Sequence, residues 1–404
     1  MHITAPDRVG RPLHLTYCTN IHPAPDLAGV HRVIAEYATP VRRRLGVDRL
    51  GLGLWLNRGV VDALIAAPAE VERLRAALDD AGLYLFTLNA FPYGDFQAPV
   101  VKHAVYRPDW SEPDRVAYTM AVAALLTRLM PEGLAAASIS TLPVAYGRGW
   151  GEEHNRLAAL YLIRVARYLR RLAEDTGKAI RLCLEPEPGC VLETTAEAIV
   201  FFHGPLQEAA ARDGEPASLI DDFLGVCFDC CHQAVACEDP VASLAALAAA
   251  GVRVGKVQLS SALEVPAPDA DGVLAEVARF AEPRFLHQVR VADGRGRPLG
   301  LDDLPDALAA ARAGEFPVDR PWRIHYHVPI HRAAVGRLAT TRPDLERALA
   351  AVVEQGLCDH LEVETYTWEV LPEAERPQGR DALVAALTAE LDWVRARVAD
   401  HCDS

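Results

Sequence analysis

Four oxygen-bearing side chains stand near the ends of four separate apolar stretches between residues 179 and 367. They are Glu185, Asp229, Gln258 and Glu364. Carboxylate and amide oxygens are ligands for hard or borderline divalent cations such as Mg²⁺, Mn²⁺ and Zn²⁺. Burying several carboxylates together is unfavourable unless a cation neutralises them. If the four side chains converge in the fold, they therefore predict a site for one divalent metal ion.

The alternation of side chains along these stretches indicates that all four point to the same side. In the stretch 179–186, the isoleucine and the two leucines share one parity, which we assign to the surrounding helices. Glu185 then faces the interior of a parallel barrel, because successive side chains of a strand point to opposite faces. The same argument turns the other three side chains inward, near the carboxyl ends of their strands.

A structural ion-pair network is the alternative to a metal site at this position. Arg181 and Lys256 also face inward and could balance Glu362 and one or more of the other acids. Parity places these three residues one layer below the four oxygen ligands. We therefore expect a structural network in the lower layer and a metal ion above it.

Several histidines could add nitrogen ligands or contact a substrate. His232 lies one short turn beyond Asp229. The strand-like run 322–330 places His325 and His327 on one face, with apolar side chains on the other. If that run folds over the barrel mouth, either histidine could bind the metal, and His287 is a weaker candidate. The alternative is that each is a surface or hydrogen-bonded residue of a lid.

Four further residues lie near the upper ends of the first three predicted strands. They are Asn20, His22, Trp55 and Asn89. We predict that they bind substrate hydroxyl groups or form an aromatic wall beside them. For Asn20 and Asn89 the alternative is a hydrogen bond that caps the following loop.

The nine cysteines do not predict a zinc finger. Most of them lie in apolar strand-like runs, where a thiol packs as a small hydrophobic group. Only Cys227, Cys230 and Cys231 have metal-like spacing, and no second Cys or His pair stands at structural-zinc distance from them.

Strand-like and helix-like segments alternate from one end of the chain to the other. The strand-like runs are 13–21, 49–56, 83–91, 136–144, 179–186, 224–230, 252–260 and 360–367. Helical periodicity is clear at 68–81, 114–130, 153–176, 239–250, 342–356 and 380–399, and weaker at 26–45 and 195–212. Eight strand–helix repeats predict an α/β fold, the (β/α)₈ TIM barrel. A doubly wound open sheet is the alternative, but no glycine-rich phosphate turn follows the first strand.

Two connections are longer than the simple repeat requires. Residues 92–112 form a proline- and aromatic-rich loop after strand three, and residues 261–335 follow strand seven. The second insertion holds three elements of its own, namely strand-like runs at 285–292 and 322–330 and a helical stretch near 302–313. Both insertions follow the carboxyl end of a strand, where barrel enzymes build their sites. We therefore predict one domain over 1–404, with 261–335 as a lid-like insertion.

The composition excludes several classes of protein. The 404 residues include 41 Lys and Arg against 55 Asp and Glu, and the net charge of −14 argues against a nucleic-acid partner. No apolar run reaches the roughly 18–20 residues of a membrane span. Residues 1–12 lack the apolar stretch of a signal peptide. We therefore expect a cytoplasmic protein without membrane insertion, whose oligomeric state the sequence leaves open.

Four motifs resemble those of the xylose isomerase-like TIM barrels, a superfamily of sugar isomerases, ketose 3-epimerases and endonuclease IV type nucleases. They are LCLEPEPG at 182–189, FDCCH at 228–232, VQLSS at 257–261 and LEVET at 361–365. In that superfamily a strand-five Glu, a strand-six Asp closely followed by His, a strand-seven His and a strand-eight Glu surround the metal. The resemblance thus implies Glu185, Asp229 and Glu364 as ligands. Gln258 departs from the strand-seven His, and an amide oxygen is the weaker ligand.

The resemblance implies a metal-dependent isomerase or epimerase of a sugar, sugar phosphate or cyclitol. In such enzymes the metal polarises a carbonyl, and a carboxylate removes the neighbouring proton to give an enediolate. Glu185 and Glu364 would be the catalytic pair, one as base and the other as acid, while His232 would contact a substrate hydroxyl.

Two other functions stay open. A non-catalytic metabolite carrier would use the barrel as a binding cup, which Gln258 favours and which the presence of both Glu185 and Glu364 disfavours. A phosphodiesterase of the endonuclease IV type would take His ligands from strands two and three. Those strands read LGLGLWLN and LYLFTLNA, without a histidine.

Three more motifs resemble a narrower family, the metabolite traffic protein EboE family. They are LTYCTNIHP at 15–23, TLNAFPYGDF at 87–96 and HYHVPIH at 325–331. Members resemble sugar isomerases and are encoded in operons linked to the processing or export of a secondary metabolite. This resemblance spans most of the chain and implies a small polyhydroxylated metabolite as the ligand.

Overall fold

An eight-stranded parallel barrel forms the centre of the computed structural model, which describes residues 1–3, 12–294 and 297–402. The strands are β1 (Leu13–Tyr17), β2 (Leu50–Trp55), β3 (Leu83–Asn89), β4 (Ala136–Thr141), β5 (Ala179–Leu184), β6 (Leu224–Asp229), β7 (Val254–Leu259) and β8 (His360–Val363). Hydrogen bonds join them in the order β1-β8-β7-β6-β5-β4-β3-β2. A parallel bridge between Cys18 and Gly53 links β1 with β2. The barrel is nearly closed, and the predicted TIM-barrel fold is confirmed.

The N-terminal segment contributes one short strand, His2–Ile3, which pairs antiparallel with β1. Residues 4–11, which make up most of the polar N-terminal segment, lie outside the described residues.

Helices connect the strands and surround the barrel. They are Leu27–Val33, Thr39–Leu45, Arg58–Ala66, Pro68–Asp80, Pro113–Leu129, Glu152–Thr176, Thr195–Phe201, Gln207–Arg212, Ser218–Phe223, Cys230–Val235, Pro240–Ala249, Arg342–Glu354 and Gly379–Cys402. The six helices with clear periodicity in the sequence all occur close to their predicted ends. The predicted helices 26–45 and 195–212 are each interrupted by a wider π-helical turn, Ile34–Ala38 and Phe202–Leu206.

The parity predicted for β5 agrees with the packing around the barrel. Ile180, Leu182 and Leu184 belong to the main apolar core between strands and helices. Their neighbours of opposite parity point into the barrel, where Arg181 and Cys183 approach the glycine backbone of β7.

A buried ion pair forms the lower layer of the barrel interior. The Lys256 ammonium donates to Glu362 Oε1 over 2.8 Å and to Ser140 Oγ over 3.1 Å. Both charged side chains are fully buried. Gly53 leaves room for the carboxylate, because a Cβ there would come within 1.7 Å of Glu362 Oε2. The predicted network is therefore present between Lys256 and Glu362.

Arg181 does not join this ion pair, and that part of the prediction is wrong. Its guanidinium donates to the main-chain carbonyls of Asp221 and Leu224, at 2.6 and 2.7 Å. The side chain is long enough to reach the amino-terminal end of β6, where carbonyl groups that precede and start the strand accept its hydrogen bonds.

The insertion after β7 forms a second, smaller sheet. Its six strands lie in the order Leu299–Leu301, Val289–Val291, Trp322–Ile324, Leu263–Val265, Leu338–Thr340 and Ala334–Val335. Two helices accompany them, Val273–Val277 and Leu304–Arg312. The structure extends the predicted insertion by the strand Leu338–Thr340, so we define the lid as residues 261–340.

The lid has an apolar core of its own, in which Trp322, Ile324 and Tyr326 are fully buried. The main core of the barrel is a separate cluster of buried residues. That barrel and lid together behave as one domain over 1–404 stays a prediction.

The loop after β3 contacts the lid. It contains one short 3₁₀ turn, Lys102–Tyr106. The N–H groups of Val101 and Lys102 donate to the Arg284 carbonyl at 2.7 and 2.8 Å, and the Lys102 ammonium lies 2.5 Å from the Asp303 carboxylate. The loop and the lid therefore cover the same end of the barrel.

Of the helices in the described ranges, none combines the length and the apolar character that crossing a bilayer requires.

Candidate metal centre

A pocket lies at the carboxyl ends of the barrel strands, beside the lid. Its polar lining residues are Asn20, Asn89, Lys102, Glu185, Glu187, His232, His325, His327 and Glu364. Aromatic side chains line other parts of it, namely Phe91, Phe96, Tyr106, Phe285 and Tyr366. Polar groups and aromatic rings that converge on one concave pocket are typical of small-molecule sites.

Three buried carboxylates meet at this end of the barrel. Glu185 directly follows β5, Asp229 ends β6 and Glu364 directly follows β8. One oxygen of each lies within 4.8 Å of an oxygen of the other two. Within the described ranges, no lysine or arginine forms an ion pair with any of the three, and the basic side chains within 4.0 Å of them are histidines.

Several buried polar atoms in this group have no hydrogen-bond partner among the described residues. They are Glu185 Oε2, Asp229 Oδ2, Asn20 Oδ1 and both amide atoms of Gln258. Gln258 pairs in register with Asp229 on β6 and with Glu362 on β8, which places it beside the carboxylates. Unpartnered buried oxygens are unfavourable. A divalent cation would supply what these oxygens lack.

Two of the carboxylates are oriented through one oxygen, which leaves the other free to bind. Asp229 Oδ1 accepts hydrogen bonds from the His232 main-chain N–H and from the Ser260 hydroxyl, both at 2.8 Å. Glu364 Oε1 accepts from the side-chain amides of Asn20 and Asn89, at 2.7 and 3.2 Å.

The two asparagines differ in whether they also cap a loop. The Asn89 side-chain oxygen accepts from the main-chain N–H of Phe91 at 2.9 Å, so Asn89 both caps the loop and holds Glu364. The Asn20 side-chain oxygen has no such partner. Asn20 therefore fits the capping alternative less well than Asn89 does.

The electrostatics of the acids fit a cation. Burial raises the pKa of Glu185 well above its usual range, and the Glu364 and Asp229 carboxylates raise it further. Burial likewise raises the pKa of Glu364, with Asp229 and Glu362 adding to the effect. A divalent ion among these oxygens would reverse the repulsion that raises both values.

Three imidazole rings meet next to the carboxylates. His232 lies on the helix after β6, and His325 and His327 follow the lid strand Trp322–Ile324. The Nε2 atoms lie 3.1 Å apart for His232 and His325, 3.2 Å for His325 and His327, and 3.4 Å for His232 and His327. Asp229 has an oxygen within 4.8 Å of the nitrogens of His232 and His327.

The alternation of the lid strand explains how two histidines reach the barrel. Trp322, Ile324 and Tyr326 point into the lid core, so the residues between them face the other way. Burial lowers the pKa of His325 well below its usual value and that of His327 to about 4. Both rings are therefore neutral in this environment and can serve as ligands.

His22 and Trp55 do not line the pocket, although the sequence indicated a place near the substrate. The His22 ring lies 4.1 Å from the Tyr37 ring, and its Nε2 is 3.2 Å from the Tyr17 hydroxyl. The Trp55 indole packs behind Phe96, whose own ring lines the pocket. His22 belongs to a loop beyond the end of β1, where strand parity no longer applies.

His287 also stays apart from the three imidazoles. Its Nε2 lies 2.7 Å from a Glu282 carboxylate oxygen, and its Nδ1 lies 2.8 Å from the His325 carbonyl. The ring stacks on Tyr326 with 3.8 Å between the ring centroids. With both nitrogens engaged inside the lid, His287 is a hydrogen-bonded lid residue, which was the alternative for it.

Three residues of the site were missed in the sequence. Glu187 accepts a 2.7 Å hydrogen bond from Tyr106, Gln288 binds His325, and Tyr366 stacks on His327. Glu187 and Tyr366 each stand two residues beyond a glutamate of the cluster, so the same parity could have indicated them. Gln288 carries no comparable pattern.

Comparison with known proteins gives a likeness in fold. No protein-family model matches the chain, and no curated protein matches it either. A xylose isomerase-like TIM barrel protein from Mycobacterium smegmatis, solved in complex with magnesium, superposes with a TM-score of 0.50 at 11% identity, covering 98% of each chain.

Two further solved structures are similar at lower scores. The IOLI protein with a bound zinc atom has a TM-score of 0.47 at 13% identity, covering 95% of this chain and 98% of its own. A D-tagatose 3-epimerase-like protein has a TM-score of 0.47 at 12% identity, covering 96% of this chain and all 100% of its own. Barrel order, strand direction and the Mycobacterium smegmatis match together show that this chain has a TIM-barrel fold similar to that of the Mycobacterium smegmatis protein.

Proposed function

We propose that this chain is a divalent-metal-dependent isomerase or epimerase of a small polyhydroxylated metabolite. One observation carries the proposal: Glu185, Asp229 and Glu364 are buried together, two of them have an unpartnered oxygen, and no lysine or arginine of the described ranges forms an ion pair with them. Several adjacent buried acids stay ionised together only when a cation neutralises them. A barrel that served only as a structural scaffold has no need of such a cluster at its carboxyl end.

The chain's own residues would divide the work between proton transfer and orientation. Glu185 has a free oxygen, and Glu364 is held by Asn20 and Asn89, so the two acids can stand on different sides of a substrate carbon. One would remove a proton beside a carbonyl and the other would return it. A bound divalent ion would act as a Lewis acid that polarises the substrate oxygen.

The pocket favours an uncharged sugar or cyclitol over a sugar phosphate. Lys102 is the one lysine or arginine among the described residues that line it. That ammonium already lies 2.5 Å from the Asp303 carboxylate, so it is paired before any phosphate arrives. The remaining polar groups, such as Asn89 and His232, are suited to hydroxyl groups.

The magnesium bound to the Mycobacterium smegmatis barrel supports a metal in this fold. Membership of the metabolite traffic protein EboE family, a role in processing or export of a secondary metabolite, and a cytoplasmic location stay predictions. The identity of the ion among Mg²⁺, Mn²⁺ and Zn²⁺ is likewise open to measurement.

Proton exchange with solvent tests the proposal directly. The purified protein with Mn²⁺ or Mg²⁺ is incubated in D₂O with a panel of ketoses and ketocyclitols, and deuterium at the carbon beside the carbonyl is followed by NMR. We expect exchange with at least one compound, and a fall of about 10²–10⁴-fold in Glu185→Gln and in Glu364→Gln, as for loss of a general acid or base.

A matched control is Glu238→Gln, a half-buried glutamate that accepts hydrogen bonds from Thr195 outside the pocket. This variant should exchange at the rate of the unaltered protein. Binding of a compound without any exchange, unchanged by the two glutamate substitutions, would contradict the proposal and favour the metabolite carrier.

A further inference from the structure

The three Nε2 atoms of His232, His325 and His327 form a small triangle with edges of 3.1–3.4 Å. These distances are as short as hydrogen bonds between nitrogens. A hydrogen bond needs one proton between each pair of atoms. The protonation of each ring therefore decides whether the three Nε2 atoms are hydrogen-bonded to one another.

The other nitrogen of each ring faces an acceptor that carries no hydrogen. The His232 Nδ1 lies 3.0 Å from the Pro186 carbonyl, and the His327 Nδ1 lies 3.0 Å from the Glu364 carbonyl. Both Nδ1 atoms must therefore be the donors. A neutral imidazole has one N–H, which leaves Nε2 of both rings as a bare acceptor.

The side-chain amide of Gln288 determines in the same way which nitrogen of His325 carries the proton. The His325 Nδ1 lies 2.7 Å from Gln288 Oε1. The orientation of that amide is set on its other side, where Gln288 Nε2 donates to the Pro188 carbonyl at 3.1 Å. His325 is therefore also protonated on Nδ1, and all three bare Nε2 atoms point at one another.

Three lone pairs at this distance repel unless something positive lies between them. Zn²⁺ binds imidazole nitrogens at about 2.0–2.1 Å, and in a tetrahedron this gives nitrogen–nitrogen edges of about 3.3 Å. The observed edges of 3.1–3.4 Å bracket that value. One extra proton would join only two of the nitrogens and leave the third without a partner.

We propose that His232, His325 and His327 bind a second divalent ion of the zinc class, beside the ion of the carboxylate cluster. Imidazole ligands select Zn²⁺ and related ions, whereas the oxygen cluster suits Mg²⁺ or Mn²⁺. Acceptors on the outer nitrogens of the three rings are the partners that orient metal-binding histidines.

Asp229 connects the two sites. One of its oxygens lies within 4.8 Å of the ligand atoms of Glu185 and Glu364, and one lies within 4.8 Å of those of His232 and His327. The centre would thus hold two ions with a shared aspartate. All three histidines line the pocket, so the fourth ligand position of the imidazole ion can face the substrate.

Cys231, Glu187 and Tyr366 are the other groups near the imidazoles, and the Tyr366 hydroxyl is the most distant hydrogen-bond partner, at 3.5 Å from His325 Nε2. Cys231 has its sulfur within 4.8 Å of ligand atoms of His325 and His327, but the thiol faces the Tyr326 carbonyl at 3.3 Å. Glu187 is engaged by the Tyr106 hydroxyl at 2.7 Å. The three histidines therefore form the primary ligand set.

Counting zinc ions tests this inference, which deepens the proposed function but uses different ligands. Metal-free protein is loaded with Zn²⁺, passed through gel filtration and examined by elemental analysis. We expect two ions per chain in the unaltered protein, one in His325→Gln and His327→Gln, and one in Glu185→Gln. Removal of one histidine ligand should weaken the zinc affinity of the imidazole site by more than about 100-fold. Removal of a residue that only orients a ligand weakens metal affinity by about 10–100-fold.

His287→Gln is the matched control, because it changes a buried lid histidine whose nitrogens are already engaged. It should still bind two ions. Thermal unfolding checks that each variant is folded. A Co²⁺ titration of the unaltered protein and of the variants gives a second measurement of the imidazole site. There the imidazole ion should give the intense visible absorption of four-coordinate Co²⁺, which Glu185→Gln keeps and His325→Gln loses.

The inference is overturned if the histidine variants bind as much zinc as the unaltered protein. It is also overturned if the unaltered protein binds only one zinc ion and Glu185→Gln, but neither histidine variant, loses that ion. Failure of the proposed function has a different result. In that case Glu185→Gln would not change the rate of proton exchange, while each histidine variant would still bind one zinc ion fewer than the unaltered protein.

Discussion

At the level of single residues, the lower layer of the barrel depends on the pair formed by Lys256 and Glu362. Burial alone would lower the pKa of Lys256, but the Glu362 carboxylate raises it above its usual value, so the ammonium stays charged. Lys256→Met would leave a buried carboxylate without its cation. We expect the free energy of unfolding to fall by about 3–5 kcal/mol, measured with urea.

The double variant Lys256→Met/Glu362→Gln is the control for that substitution, because it removes both charges. It should recover most of the lost stability. If the free energy of unfolding of Lys256→Met lay within about 1 kcal/mol of that of the unaltered protein, the lysine would not be required to stabilise the buried Glu362 carboxylate. Exposed ion pairs contribute no more than that.

Residue types and strand parity located the acids but not every neighbour. Glu185 and Glu364 stand beside strands whose apolar residues alternate, so their direction follows from their position. The position of Trp55 could not be predicted in this way, because Phe96 of the loop after β3 packs against it. The fold of a loop depends on contacts with distant segments, which no local pattern contains.

At the level of elements, the lid strand Trp322–Ile324 positions His325 and His327. Trp322 is fully buried in the lid core, and its indole N–H donates to the Pro317 carbonyl at 2.6 Å. Trp322→Ala would leave a large cavity and lower the free energy of unfolding by about 3–5 kcal/mol. We expect zinc at the imidazole site to bind more weakly as well, measured by titration.

Trp150→Ala removes the same type of side chain from the loop after β4, at a residue that does not line the pocket and whose indole donates to Asn155 at 2.7 Å. Zinc affinity should be unchanged in this control. Equal zinc affinity in both variants would mean that the lid core does not position the histidines.

The lengths of the elements decide which of them the sequence could predict. The helix Glu152–Thr176 has 25 residues, enough turns for its periodicity to stand out. The lid strands that were not predicted have two or three residues each, as in Ala334–Val335 and Leu299–Leu301, and so few positions cannot show a period of two. Only pairing with other strands reveals them, and that pairing is not local.

At the level of the whole molecule, barrel and lid each have a main apolar core and are joined by both apolar and polar contacts. Some lid residues belong to the barrel core, and some barrel residues belong to the lid core. Arg290 of the lid lies 2.6 Å from Glu193 of the barrel, and Arg323 lies 2.9 Å from Asp344. The three imidazoles also bridge this boundary, because His232 belongs to the barrel and the other two to the lid. An ion bound there would fasten the lid to the barrel.

Removal of the metal should therefore loosen the lid more than the barrel. A ligand at 100 times its Kd stabilises the folded state by about 2.7 kcal/mol, and a chelator removes that contribution. We expect a lower Tm after chelation and faster deuterium exchange in residues 322–330, with little change in β4 and β5. In His325→Gln the chelator should have a smaller effect on 322–330, because the imidazole ion is already lost. Exchange in 322–330 that is the same with and without metal would mean that no ion spans the boundary, and that the contacts of Arg290 and Arg323 suffice to hold the lid.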